Sequence, residues 1–415
     1  VSTPDTHAAA AALTAAVVIL LAGCTSTVNG AAVLASQPAG GDGANVALMD
    51  TGRYPTRPSH PLGTAGSAAI GAVLEAQRMA EFVVGPWEIN AKLRRLNILA
   101  NGVTTDLQSI KDELPEPIPG VASAHGLITA FASSRKSSDN LSILAMTNLV
   151  MRFPDAGAAT AAADEMAAKT GALPDPPRSP IVLQNNPDAH AWAHDYFEDS
   201  TRVESFTAHG PYVLYQGVQS QKSPSPDSAS FAQQFAGFAL DHQKQLIDRF
   251  TPTDPAKLAE LPLDPTGMLL GRTLPTTELG TAALVGIWQP QGWLHFEVDP
   301  VASAARYAAA GVEVIAKGLT TVYRTNNRGG AARMVQRETT DPSLSVTQIS
   351  GVPGLPNARC AKRQGLLGIG ATLSEGLAHF RCVTAADTYA YIAYSDNEKD
   401  VKQQTAAQYR ILAGE

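Results

Sequence analysis

Cysteine is scarce in this chain of 415 residues, which carries it only at Cys24, Cys360 and Cys382. So few thiols exclude a small disulfide-knit scaffold, and without a Cys-x-x-Cys spacing they do not describe a structural zinc site. Charge is thin as well, at 17% Asp, Glu, Lys and Arg, and bases are the minority: 31 against 38 acids, a formal net charge of -7. A nucleic-acid surface needs a basic stripe that releases counterions, so no nucleic-acid partner is expected. No helical apolar run reaches the roughly 20 residues that span a bilayer core. Wholesale disorder is excluded in turn, since 28 Pro and 34 Gly are near ordinary use.

Catalytic signatures are missing too. The chain has no His-Glu-x-x-His, no Gly-x-Ser-x-Gly elbow, no phosphate loop and no Asp-rich calcium loop. Gly365, Gly368 and Gly370 are spaced like part of a glycine loop but lack the remaining dinucleotide fingerprint. No catalytic residue, cofactor or metal is therefore assigned, and the chain is expected not to be an enzyme.

What is present begins at the N-terminus. Residues 8–21 are almost uninterrupted Ala, Val, Ile and Leu, closing with Leu21-Ala22-Gly23-Cys24. The run is too short to span a membrane and matches the apolar region of an export signal, although residues 1–7 contain no Lys or Arg. Its last four residues resemble a bacterial lipobox. That resemblance implies a signal peptide over 1–23, a diacylglyceryl group on Cys24, and a membrane partnership through the lipid. Acyl chains contribute about 0.8 kcal/mol per buried CH₂, so several chains hold without help from basic residues. With Cys24 lipidated, Cys360 and Cys382 remain as an even pair in an oxidising compartment, where a disulfide would contribute about 3 kcal/mol by closing its loop. Two free core thiols are the alternative.

Residues 24–47 read as the lipidated Cys and a small, polar tether, and 49–56 as an extended segment of turn formers around Tyr54. Helical spacing through Ile70, Val73, Leu74 and Phe82 follows, stopped at Gly85-Pro86-Trp87. The three prolines of 114–120 read as a loop. A strand at 149–153, an Ala-rich helix over 155–169 capped by Asp155, short strands near 181–183 and 189–196, and a hairpin turned at His209-Gly210-Pro211 come next. A long helix over 228–250 closes this unit, with Phe231, Phe235, Phe238, Leu246 and Phe250 as its apolar stripe. After a Pro-rich join the order recurs: a helix from Asp299-Pro300 to Gly311, strands at 320–325, 358–363, 377–383 and 389–394, a helix near 329–337 and a closing helix over 401–412. The expected fold class is α+β, with two loosely similar modules, each an antiparallel sheet with helices mainly on one face. The domains are an N-terminal one over 48–250, a linker over 251–275 and a C-terminal one over 276–415.

Candidate ligand-binding residues are few. Glu75, Arg78 and Glu81 follow at three-residue steps on one helix face, where they could orient a polar ligand or form a surface ion-pair ladder. Trp288 and Trp293 bracket Gln289-Pro290-Gln291-Gly292, and Tyr389, Tyr391 and Tyr394 share a strand; such aromatics contact ligands when exposed and pack when buried. His190 and His194, beside Asp195, sit on one side of a strand or helix but show no third metal ligand.

Tyr54-Pro55-Thr56, Leu74-Glu75-Ala76-Gln77-Arg78-Met79-Ala80, Gly85-Pro86-Trp87, Thr321-Val322-Tyr323-Arg324 and Ala406-Ala407-Gln408-Tyr409 carry a resemblance to a family of mycobacterial and related actinobacterial lipoproteins defined by a domain of unknown function. Members share the lipobox and a late Cys pair, and the resemblance implies a location on the extracytoplasmic face of the cell membrane without implying an activity. The expected function is a non-enzymatic cell-envelope lipoprotein, a ligand- or protein-binding module of unknown biochemical role; if its two halves pack together, the cleft between them is the natural site. An envelope lipid or glycolipid carrier is the alternative. Less favoured is an extracytoplasmic hydrolase with a dispersed pair such as Glu75 and His190 or Asp195.

Overall fold

The computed structural model describes residues 26–28, 31–33, 42–97, 100–137, 144–197, 199–221, 228–276, 283–340, 346–363 and 378–414. Cys24 and the glycines at 365, 368 and 370 lie outside them. Strands β1 (Ser26–Val28) and β2 (Ala31–Val33) pair with each other.

The N-terminal module comprises helices α1 (Ala68–Met79), α2 (Pro86–Ile89), α3 (Ile118–Ala124), α4 (Ala156–Gly171) and α5 (Ser228–Ile247). Its strands are β3 (Arg95–Leu96), β4 (Gly102–Thr104), β5 (Thr129–Lys136), β6 (Leu144–Arg152), β7 (Ser179–Leu183), β8 (Asn186–Tyr196), β9 (Ser200–His209) and β10 (Tyr212–Gln221). The C-terminal module adds β11 (Gly286–Trp288), α6 (Pro290–Trp293), α7 (Pro300–Ala310), β12 (Val312–Lys317), β13 (Thr321–Thr325) and α8 (Arg328–Thr340). It ends with β14 (Val346–Ile349), β15 (Arg359–Arg363), β16 (Phe380–Ala386), β17 (Tyr389–Ser395) and α9 (Glu398–Ala413).

Both modules are antiparallel sheets with helices, as the segment order implies, and their topologies coincide. The first sheet runs β3-β5-β6-β10-β9-β8-β7 with β4 also on β5; the second runs β11-β12-β13-β17-β16-β15-β14, without a counterpart of the two-residue β3. Each strand of the second is the counterpart of the one seven numbers earlier, with α8 answering α4 and α9 answering α5. The helices lie on both faces rather than mainly on one. Ala159, Ala162, Ala163 and Met166 of α4 pack with Leu149, Phe206 and Tyr215, while α5 packs on the other face with Leu214 and Val218.

Local signals explain most boundaries. Asp155 and Asp299 accept from the first amides of α4 and α7, and Gly311 ends α7 in a left-handed conformation at φ +64°. The β9–β10 hairpin turns on Gly210 at φ +55° and Pro211, with His209 opposite Tyr212. Two readings are corrected. The prolines of 114–120 do not make a loop throughout: Pro119 sits in the first turn of α3, where a missing amide hydrogen costs nothing. Of the phenylalanine stripe over 228–250, Phe250 is buried and Phe235 packs against the core, but Phe231 and Phe238 do not belong to the buried face. Ala232, Ala236, Ala239, Leu240, Gln243 and Ile247 face the sheet, because small residues let the helix approach closely, and Phe231 and Phe238 point outward, 43% and 55% exposed.

The chain's leading segment takes an unexpected course. Tyr409 donates to Asp42 at 2.7 Å, the Asn45 amide to the Gly354 carbonyl at 2.8 Å, Gln403 to Asp50 at 2.8 Å, and Tyr54 to Asp400 at 2.8 Å. The end of the expected tether, and residues 48–54 beyond it, thus run as a strap along α9 of the C-terminal module before the chain reaches α1. Nor is 251–275 free of regular structure: Pro255–Glu260 forms a 3-10 helix, Thr64 bridges to Pro262, and Leu258, Leu269 and Leu274 are buried. Gly71 of α1 is required there, since any side chain would collide with the Leu258 carbonyl.

Candidate functional site

The expected cleft between the modules is a solid seam. One continuous apolar cluster holds Phe131, Val150 and Leu214 of the first sheet with Trp288, Trp293 and Phe296, and with Ile315, Tyr323 and Ile392 of the second. Arg135 on β5, fully buried, donates to the carbonyls of Arg94 at 2.7 Å and of His295 and Glu297 at 2.8 Å each, and its guanidinium lies 5.1 Å from the Trp87 ring centre. Burial lowers its pKa to about 10, so the cation persists at neutral pH. Beside it the His295 ring bonds Ser133 Oγ at 2.8 Å and the Ala80 carbonyl at 3.1 Å. Burial, then the nearby Arg135 charge, hold that imidazole at about 3, so it is neutral in the fold.

The residues nominated from sequence are mostly engaged in this framework. Trp288 and Trp293 do not form an exposed platform; both are core residues, with ring centres 5.7 Å apart, and Trp288 donates to the Leu284 carbonyl at 2.8 Å. Tyr391 is buried and donates to the Thr405 carbonyl. Of the ladder of Glu75, Arg78 and Glu81, the Glu75–Arg78 rung forms, but its carboxylate is not at the surface. Glu75 is fully buried, accepting from Arg152 of β6, from Arg78 at 2.6 Å and from the Thr253 amide and hydroxyl at 2.8 Å each. It clamps α1 to the sheet and the linker. Glu81 lies on the next 3-10 turn, where burial raises its carboxyl pKa against the pull of Arg249 and Arg78.

His190 and Glu75 occupy opposite faces of the first sheet, so no acid/base pair joins them. His190 reaches Asp164 at 3.1 Å, whereas His194 lies buried 3.4 Å from Glu204. Burial would push the Glu204 carboxyl up, but His194, Arg202 and Arg178 overcome it and lower its pKa. Among the described residues no three His, Cys, Asp or Glu side chains gather to hold a metal. Cys360 and Cys382, register partners across β15 and β16, form a disulfide.

Sequence reasoning missed a pair of glutamines. Gln243 of α5 donates to the Phe82 carbonyl at 2.8 Å and accepts from the Val84 amide at 2.9 Å; Gln408 of α9 donates to the Arg272 carbonyl at 2.8 Å and accepts from the Leu274 amide at 2.7 Å. Each closing helix thus pairs a side-chain amide with an extended stretch of backbone, as a strand would. A sheet-side group completes each clamp: Asn148 donates to Gln243 and Thr320 to Gln408. On α5 the available signal was a lone amide inside an otherwise small, apolar stripe; on α9 Gln404 and Thr405 share the buried face and mask it.

Outside this framework a groove of about 210 Å³ opens between α5 and the β7–β8 turn, lined by Gln184, Asn185, Gln233, Gln234, Gly237 and Phe238. Phe231 and Phe235 stack beside it with ring centres 4.4 Å apart. A second cavity, of about 270 Å³, lies at Arg328, Asp387, Asn357 and Tyr409 beside the strap.

The two halves of this architecture are also a pair of known sequence domains. Residues 62–263 match the N-terminal domain of DUF7373, a domain of unknown function, and residues 269–415 match its C-terminal domain. The chain belongs to the DUF7373 family. In DUF7373 terms the seam joins the two matched domains, and the strap precedes the first match yet lies on the second. No curated protein matches the chain. Among solved structures, the extracellular domain of PknH from Mycobacterium tuberculosis is similar over 40% of this chain and 96% of that one, at 12% identity and a TM-score of 0.26. Among the described residues no helix is long and apolar enough to cross a membrane.

Proposed function

We propose that this DUF7373 chain is a non-enzymatic cell-envelope lipoprotein, held on the extracytoplasmic face of the membrane through Cys24, that serves as a rigid two-module binding scaffold. The seam carries the reading: Arg135 and His295 lock the modules where a hinged cleft would need them to part, so recognition belongs to the outer surfaces. The disulfide supports an oxidising location. The groups offered as acid and base are spoken for, Glu75 by two arginines and His190 by Asp164. A carrier of acyl chains gains no support from the two cavities, which fall below the usual ligand-pocket range of about 300–1,000 Å³. The partner is accordingly a protein or an envelope glycolipid headgroup met on the surface.

Metabolic labelling with palmitate, comparing the parent with Cys24→Ala, tests the anchor. Label in the parent alone, with the variant released to the soluble fraction, is expected; equal fractionation of the two would overturn the location. Turnover of ester, phosphoester or glycoside substrates above background, lost in Glu75→Ala or His190→Ala, would overturn the binding assignment.

A further inference from the structure

The repeated architecture lets the outer surfaces of its two closing helices be compared position by position. Superposing the amide clamps aligns Gln243 with Gln408, and the buried faces then coincide: Ala236, Ala239, Leu240 and Ile247 of α5 with Val401, Gln404, Thr405 and Leu412 of α9. In this alignment Phe235 corresponds to Asp400 and Phe238 to Gln403. Those two α9 positions hold the end of the strap, through Tyr54 and Asp50. Gly52 passes so closely over Gln403 that a side chain would collide with it. The strap's first residues lie between α9 and the β14–β15 connection, where Tyr409 and Asn357 hold Asp42 and Gly354 holds Asn45. The α5 groove lies between the closing helix and the β7–β8 turn and shares one strap-holding position with α9, Phe238 standing where Gln403 does.

The geometry points to this groove as a docking site for an extended segment of a partner polypeptide, laid along α5 as residues 42–54 are laid along α9. The assignment deepens the binding reading by giving it a site, and it does not depend on the lipid anchor. The groove's chemistry describes the occupant. Gln184, Asn185 and Gln234 offer amides that satisfy peptide backbone, Gln233 being already bound to the Val182 carbonyl, and Phe238, with Phe231 near it, offers apolar surface where α9 carries Gln403. Asp241, at the end of the groove, is already taken by Asn186 at 2.6 Å. The segment is therefore uncharged at its centre, with an aliphatic or aromatic side chain over Phe238.

The test presents the full-length chain in detergent micelles to a phage-displayed library of random linear peptides. Enriched sequences are remade as synthetic peptides and titrated against the parent, Phe238→Asp, Gln234→Arg and, as a control at an exposed apolar residue elsewhere, Val301→Asp. Expected are uncharged, apolar-centred peptides that lose at least tenfold affinity on each groove variant, keep it on Val301→Asp, and slow amide exchange at 184–185 and 230–241. Phe238 points to solvent, so melting should be unchanged in its variant, and Gln234→Arg supplies an independent reading if it is not. Failure to enrich any peptide, or binding indifferent to both groove variants, overturns the site. Concentration-dependent self-association abolished by Phe238→Asp overturns the partner in favour of a second copy. Palmitate labelling of Cys24 is scored separately, so either reading can fail while the other stands.

Discussion

Acid should loosen this molecule through one ring. His295 is neutral in the fold because burial, reinforced by the Arg135 cation, holds its pKa at about 3 against an ordinary 6.5. The unfolded chain therefore takes up a proton as pH falls through about 6.5, while the folded chain does not until about 3. The unfolded state binds more protons throughout that window, so stability is complete above it and is lost as pH falls. At about 1.4 kcal/mol per unit, acidification from 6.5 to 4.5 removes roughly 2.7 kcal/mol, and the whole window sets a ceiling of about 5 kcal/mol. The assay is urea unfolding at pH 7.5 and 4.5 of the parent and of His295→Gln, whose amide can still donate to the Ala80 carbonyl and accept from Ser133. Burial raises the carboxyl pKa values of Glu81 and Glu88, which biases stability in the opposite sense, but that contribution is common to both proteins and cancels in their difference. The parent should lose about 2–3 kcal/mol more than the variant. Equal losses would refute the assignment of the acid sensitivity to this ring.

Arg135→Leu should cost about 3–5 kcal/mol, because the seam carbonyls lose their donor in a dry interior, and should split the unfolding curve as the modules come apart. Glu75→Gln leaves Arg152 buried without its counter-charge; a loss of about 3 kcal/mol in chemical denaturation is expected, and an unchanged midpoint would contradict the clamp. Gln243→Leu and Gln408→Leu should each cost about 1–3 kcal/mol by stranding a backbone amide and carbonyl, and a large loss from only one would break the equivalence of the modules. Thiol counting under denaturing, non-reducing conditions should leave Cys360 and Cys382 unreactive, and their joint replacement by Ser should cost about 3 kcal/mol.

How much of this could be read from the chain depended on whether the signal was local. Asp155, Asp299 and Gly311 announced their helix ends, and Gly210-Pro211 its hairpin, because caps and turns are decided by a few neighbouring residues. The segment order revealed two alike modules even though their residues differ. What was hidden was long-range. Helix α5 is apolar on two sides, so periodicity chose the bulky phenylalanine stripe, whereas close packing on a sheet selected the alanines. Glu75 looked like a surface acid because its neighbour Arg78 was visible in sequence; Arg152 and Thr253, which hold it indoors, were not. For Trp288 and Trp293 the sequence left ligand contact and core packing both open, and they pack, as part of the seam. For the candidate site, the sequence supplied Phe231 and Phe238 but assigned them to the core.

The way the modules meet explains why one equivalent surface is covered and the other open. The seam joins the α5-bearing face of the first sheet to the α8-bearing face of the second, so non-equivalent sides are apposed in a head-to-tail fashion. A twofold arrangement would have buried the same face twice; this one leaves the α9 side of the second module pointing outward at one end of the pair. The strap answers that exposure. Tyr54 packs with Leu274, Ala407 and Ile411 there, covering apolar surface that a third module in series would otherwise meet. On α5 the corresponding outer ridge carries the exposed Phe238 where α9 carries the strap-binding Gln403. The two closing helices therefore part company on their outer ridges: α9 is covered by the chain's own residues 42–54, while on α5 Phe238 borders an open groove of amide side chains.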